Sequence, residues 1–273
     1  MPYQNQSPDI KKIIPLPSRK LVSVTGPDAM DFLQNITTAD MRQVTDDEMI
    51  YGLLLTPQGQ FLHDFFISRQ PAMADAFLVD IFADRLDDFM QRMKMFKLRA
   101  KVELRVLEDI QVYAHPSTGL RDPRLPVLGF RLYADHAAEN AEMQEDDYID
   151  LCTRHGVPDT ASILPQKDFA ADMNLDLLGA IAWDKGCYIG QEVTARMHYK
   201  GLAKKRLLLL EGKDMAQGDM LFNAGGRVVG EVRQINPRDI EQALAIVRLD
   251  SVDGVQTAGG RIVSVYMPPY LEK

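Results

Sequence analysis

Met49–Ser68 reads MIYGLLLTPQGQFLHDFFIS. Met49–Leu55 is an apolar run of strand length, and Gln60–Ser68 is a second. Between them Thr56-Pro57-Gln58-Gly59 carries the proline and glycine of a tight turn. A turn this short returns the chain antiparallel to itself, so the stretch predicts a hairpin. Upstream, Lys20–Val24 alternates apolar and polar residues and reads as a strand. Gly26-Pro27-Asp28 then opens a helix, with Pro27 expected in its first turn, and Ala29, Phe32, Leu33 and Ile36 share one face. Downstream, Ala76–Ile81 reads as a strand and Asp84–Met95 as an amphipathic helix carrying Leu86, Phe89, Met90 and Met93. From Leu98 to Val106 apolar residues alternate with charged ones, which predicts a strand with one wet face. Hairpins interleaved with helices favour an α+β arrangement over a doubly wound parallel sheet.

Residues 116–147 are rich in proline, glycine and charge and read as a variable connection. After about residue 203 the helical spacing ends. Short apolar stretches at Leu207–Leu210, Val228–Val232, Ala243–Leu249 and Ile262–Tyr266 are separated by Gly218, Gly225-Gly226, Pro237 and Gly259-Gly260. That pattern predicts a small antiparallel β-barrel. The expected division is therefore 1–202 and 203–273.

The chain has 273 residues, 46% hydrophobic and 26% charged, ordinary values for a folded protein. Its longest aliphatic runs, Leu53–Leu55 and Leu207–Leu210, fall far short of the roughly 20 residues a membrane helix needs. Met1–Ile14 lacks the apolar centre of a signal peptide and the arginine-rich pattern of an organelle presequence, so a cytoplasmic location is expected. The net charge of −8 opposes direct nucleic-acid binding. One stretch runs the other way: Arg196, Lys200, Lys204, Lys205 and Arg206 follow one another with no acid between Glu192 and Glu211. It is either a solvated face or an anion-attracting patch. The 2 cysteines, Cys152 and Cys187, suggest no disulfide framework and cannot supply four cluster or zinc ligands. His63, His115, His136, His155 and His198 show no metal-ligand spacing, so no permanently bound metal is expected.

The chemically dense segment is Lys185-Gly-Cys-Tyr-Ile-Gly-Gln-Glu192. Gly186 and Gly190 permit tight backbone geometry or close approach of a partner. Lys185 is placed to stabilise a Cys187 thiolate, the reactive and metal-binding form. A lone cysteine is otherwise a small buried hydrophobe, which is how Cys152 reads. Tyr188 either stacks on a ring or packs, and Gln191 and Glu192 either hold the loop or touch a ligand.

This segment, continued by Val193-Thr-Ala-Arg196 and Gly201, resembles the signature of the YgfZ family, relatives of the glycine-cleavage aminomethyltransferases and of mitochondrial factors that mature [4Fe-4S] proteins. Ser23–Asp28, Phe32–Asn35, Thr38–Asp40, Leu55–Asp64, Gly156-Val-Pro158 and Asn174-Leu-Asp176 extend the resemblance over most of the chain. It implies a ring of α+β subdomains around a folate-sized cavity, capped by a C-terminal antiparallel barrel. It implies a tetrahydrofolate-type cofactor, and iron–sulfur assembly factors and [4Fe-4S] client enzymes as partners. Carried over residue by residue, it makes Cys187 the functional thiol, either a transient cluster ligand or a transient redox group, and Asp64 a cavity acid. Asn35, Gly59, Arg154, Lys185, Gly186, Tyr188, Gly190, Gln191, Glu192 and Arg196 become its ligand-contacting candidates.

The sequence departs from the enzymes at two points. Where they carry paired aspartates after the glycine turn, this chain has His63-Asp64. Where they carry an Arg-x-Glu-x-Gly segment, it has Cys152-Thr-Arg154-His-Gly156. A carboxylate can accept two parallel N–H bonds from a pterin edge, and Arg154 cannot imitate it. The leading expectation is thus an accessory factor in assembly or repair of [4Fe-4S] proteins, iron–sulfur tRNA-modifying enzymes included. A tetrahydrofolate-dependent aminomethyltransferase and a tRNA-binding module are the alternatives.

Overall fold

The computed structural model describes residues 7–70, 75–135, 143–201, 203–257 and 260–271. His136, Gly259, the first six residues of the leader reading, and Leu202 at the expected domain boundary lie outside them. The chain forms two compact units: 1–145 with 179–193, and 146–178 with 194–273.

In the first unit, β1 (Ile14–Pro15), β2 (Arg19–Thr25), helix α1 (Ala29–Ile36), β3 (Ile50–Leu55), β4 (Phe61–Arg69), β5 (Ala76–Phe82), α2 (Leu86–Lys97), β6 (Glu103–Leu107), β7 (Gln111–His115), β8 (Leu120–Arg121) and β9 (Phe130–Ala134) follow in order. They build two antiparallel sheets, β3-β4-β5-β2-β6 and β1-β7-β9-β8. The predicted hairpin is β3–β4, with Ile50 opposite Ile67 and a bulge at Leu54/Leu55. One face of the larger sheet supplies Val22, Val24, Ile50, Leu54, Phe65, Ile67, Phe77, Val79 and Ile81. These pack with Phe32, Leu33 and Ile36 of α1 and Phe89 and Met93 of α2. Alternation along each strand sends Arg19, Asp64, Phe66 and Asp80 to the other side.

Three local expectations are corrected. Pro27 lies in the turn before α1, and Asp28 turns its carboxylate to the Lys101 N–H at 2.7 Å rather than capping the helix. The strand expected from Leu98 begins only at Glu103. Leu98 ends α2 at φ +44° and is 88% exposed, because the chain must reverse there and spends residues 98–102 on the turn. The 116–147 connection holds β8 and β9, whose short runs carry too few alternations to read as strands, and the start of α3.

The second unit contains α3 (Glu145–Arg154) from Asp146 onward and α4 (Gln191–Tyr199) from Thr194 onward. Its strands are β10 (Lys205–Glu211), β11 (Met220–Phe222), β12 (Val228–Ile235), β13 (Gln242–Arg248), β14 (Gln256–Thr257) and β15 (Ser264–Tyr266). They pair in the order β14-β11-β12-β13-β10-β15, all antiparallel, as expected for the barrel. Register shifts at Leu221/Phe222 and Val232/Gln234 bend the sheet over a core of Leu208, Leu210, Leu221, Val232, Ala245 and Val263. The Arg233–Asp168 ion pair is buried beside it.

Candidate functional site

The cysteine segment is a loop leading into α4. Lys185 and Tyr188 are buried, and the two residues between them, Gly186 and Cys187, are exposed. Cys187 is a free thiol at the surface, and Cys152 is buried in α3. Lys185 does not serve the thiolate directly. Its Nζ donates to the carbonyl oxygens of Gln34 (2.7 Å), Thr37 (2.6 Å) and Ala39 (2.7 Å). An ammonium has three N–H groups, so none is left for the sulfur. The site suits a cation, because the carbonyls stand at the C-terminal end of α1, where unpaired oxygens gather negative potential. Burial pushes the Lys185 ammonium down to about 8, against the charge of Asp40, which raises it. The ammonium also lies 5.4 Å from the Tyr188 ring centroid.

The cradle is itself braced. Thr38 Oγ1 donates to the Ala180 carbonyl at 2.6 Å and accepts the Leu53 N–H at 2.8 Å, while Ala182 N donates to the Thr38 carbonyl at 3.0 Å. Gln34 accepts the Met41 N–H at 2.7 Å and donates to Asp40 at 3.2 Å. The Arg42 guanidinium bonded to Asp40 holds that carboxyl at about 2. Gln34 and Thr38 fall in stretches that carry the resemblance without being named as site residues, because the lysine they hold or brace lies about 150 positions away.

The remaining candidates separate. Gly190 has φ +83°, and a Cβ there would meet the Thr56 oxygen at 2.5 Å and the Gly59 Cα at 3.1 Å. The two glycines seat the loop on the hairpin turn. Gln191 reaches the Gly186 carbonyl at 3.5 Å, and Glu192 and Arg196 are exposed on α4. Asn35 is exposed on α1. Asp64 is buried on β4 and accepts the Tyr51 hydroxyl at 2.9 Å; burial, and then the charge of Asp64, push that phenol well up. Arg154 ends α3 bonded to Asp150 at 3.1 Å. It lines a recess of about 430 Å³ with Leu209, Glu211, Gln242 and Tyr266. Of the basic stretch, Arg206 is spent on Asp176 (2.7 Å) and the Ala171 carbonyl (2.8 Å), leaving Arg196, Lys200, Lys204 and Lys205 exposed.

A larger cleft in the first unit, about 590 Å³, is lined by Asp40, Gln43, Glu48, Tyr51, Arg121 and Ile181 among others, and by none of the sequence candidates. That volume lies within the roughly 300–1,000 Å³ of small-molecule sites. Asp40 is already bonded to Arg42 and Gln34, but Asp47 and Glu48 can accept N–H bonds from an aminopyrimidine edge and Arg121 can meet an anion, so the lining fits a folate. Among the described residues no group of three or more His, Cys, Asp or Glu converges as a metal site.

Residues 17–110 match the GCVT N-terminal domain, and residues 204–273 match the CAF17 C-terminal β-barrel domain. The fold is that of glycine cleavage system aminomethyltransferase T from Bartonella henselae, with a TM-score of 0.75 over 95% of this chain and 86% of that one, at 17% identity. The chain thus has an aminomethyltransferase-like fold with a CAF17-type barrel. It is 34% identical over 217 residues to a protein of Pyricularia oryzae named iron-sulfur cluster assembly factor IBA57 homolog, mitochondrial, covering 71% of this chain and 55% of that one. Its likeness to the protein of the same name from Mycosarcoma maydis is 33%, over 73% of this chain and 57% of that one. The chain therefore spans about half the length of these curated relatives. Their names overturn the cytoplasmic location expected from the sequence, since both are called mitochondrial.

Proposed function

We propose that this chain is a YgfZ-type, folate-binding accessory factor in the assembly or repair of [4Fe-4S] proteins, and that Cys187 is its functional thiol. The observation that carries this reading is an exposed thiol held between two buried anchors, on a chain whose relatives are named iron-sulfur cluster assembly factors. The cluster is cargo here, and Cys187 supplies one sulfur ligand to it in passing, the rest coming from partner assembly factors or clients. Iron–sulfur tRNA-modifying enzymes are among the proposed clients. Residues 1–202 form the proposed ligand-binding region and 203–273 the barrel. Folate would be held by Asp47, Glu48 and Arg121 of the first-unit cleft and would supply one-carbon chemistry there. Asp64 is proposed as support to that cleft through Tyr51, which lines it. Asn35, Glu192 and Arg196 remain proposed surface contacts, and Arg154 a proposed contact for an anion in the second-unit recess it lines.

The deciding experiment is complementation of a strain lacking its own copy, read as [4Fe-4S] enzyme activity at matched protein levels. Cys187→Ser should melt within a few degrees of the parent and fail to restore activity. Cys152→Ser should restore it wherever it folds. Full restoration by Cys187→Ser sinks the reading. Calorimetry with tetrahydrofolate tests the ligand separately, and absence of both heat and thermal shift at millimolar concentration removes folate from it. The likeness to aminomethyltransferase T supports a one-carbon transferase as the second reading. Turnover in a glycine-cleavage assay would favour it.

A further inference from the structure

We propose that Lys185 is a positioning residue for the Cys187 thiol: its ammonium, locked onto three carbonyls at the end of α1, fixes the base of the loop that offers Gly186 and Cys187 to a partner. This rests on Cys187 being the functional thiol, and adds the part that holds it. Three oxygens from Gln34, Thr37 and Ala39 converge on one nitrogen at 2.6–2.7 Å. A tetrahedral ammonium answers that arrangement with one N–H for each oxygen; a planar guanidinium or a neutral side chain does not. Thr37 follows α1 directly and its carbonyl has no helical N–H to accept, so the lysine satisfies it, while the Ala39 carbonyl accepts the lysine beside the Thr37 hydroxyl at 3.3 Å.

The geometry beyond the lysine is equally specific. Tyr188 is the second buried anchor, only two residues separate it from Lys185, and Gly190 is wedged on the hairpin turn at Thr56 and Gly59. The thiol therefore sits on a short bridge pinned at both ends. A Cβ added at Gly186 would meet nothing within 4 Å. The glycine before the thiol is thus not demanded by the chain's own packing, and the space beside it is open to a partner's backbone.

The test uses the natural cysteines. A methanethiosulfonate nitroxide should label exposed Cys187 and spare buried Cys152. In Lys185→Met the label's rotational correlation time should fall by about threefold, and amide exchange over 185–189 should rise by about tenfold or more. Leu221→Val, a change in the separate core of the second unit, should leave both within about twofold of the parent. Unlabelled Lys185→Met should fail to restore [4Fe-4S] activity, while Leu221→Val restores it. Where the methionine variant does not fold, Lys185→Gln, which keeps two N–H donors, supplies the same readouts with a smaller shift. Parental mobility and exchange in the lysine variants, or full activity despite a loosened loop, would overturn the proposal. Full activity in Cys187→Ser would overturn the thiol's role instead and leave the spectroscopic result standing, so the two failures are told apart.

Discussion

Gly186 and Gly190 carry the same letter four positions apart, and the fold gives them opposite tolerances. Ala at 190 would need a Cβ 2.5 Å from the Thr56 oxygen, on a backbone at φ +83° that side chains rarely adopt. Gly190→Ala should cost about 2–3 kcal/mol, read from the urea midpoint, whereas Gly186→Ala, facing open space, should stay within about 0.5 kcal/mol. Equal losses at both sites would contradict the anchored-bridge geometry. Lys185 teaches the same lesson from the opposite side. Its place two residues before a cysteine suggested a charge for the thiolate, but the bonds that claim it come from Gln34, Thr37 and Ala39, about 150 residues earlier. Local spacing marks which residues carry chemistry; it does not say which atoms meet.

At the scale of elements, β4 and α2 are joined by a buried histidine. His63 Nε2 lies 2.7 Å from Asp88 of α2, and its ring meets Phe89 edge-on with centroids 5.5 Å apart. Burial pushes its imidazole down to about 4, although the Asp88 bond pulls the other way. The folded state therefore binds this proton more weakly than the unfolded chain does at the ordinary 6.5. The stability this confers is complete above pH 6.5 and is lost as pH falls through 4, about 3 kcal/mol in all. Urea titrations across that window should show the loss, and His63→Gln, which keeps a donor for Asp88, should flatten it. A parental slope in His63→Gln would assign the effect elsewhere. The histidine was visible in the sequence only as a departure from a paired-acid pattern, because its partner is 25 positions away on a different element. Strand and helix periodicity was legible in β2 to β5, α1, α2, β10, β12 and β13, whereas α3 and α4 went unread despite their length. It misled at Leu98, where alternation continued across a turn.

Across the first unit the face of the larger sheet away from α1 and α2 carries a buried ion network that no periodicity announces. Asp80, fully enclosed, accepts Arg19 Nε at 2.6 Å and Arg131 Nη1 at 2.7 Å. Asp122 accepts Arg124 Nη2 at 2.8 Å. The Arg131 guanidinium stacks 3.6 Å from the Phe66 centroid. Removing one charge strands the others in a place water cannot reach, so Asp80→Asn should lose about 3–5 kcal/mol in denaturant unfolding. A loss under about 1 kcal/mol would mean that the face is solvated after all. The sequence by itself determined the α+β class, the hairpin at Thr56–Gly59, the antiparallel C-terminal sheet and the segment holding Cys187, because each is written in short-range periodicity, turn residues or one contiguous motif. Only the tertiary structure decided that Lys185 binds a helix end, that Gly190 rests on Gly59, and that Arg19, Asp80 and Arg131 share one buried site. It also placed Asp40, Tyr51, Arg121 and Ile181 around one cleft. Those are contacts between residues far apart in the chain, and their energy depends on distance and burial, which no run of letters carries.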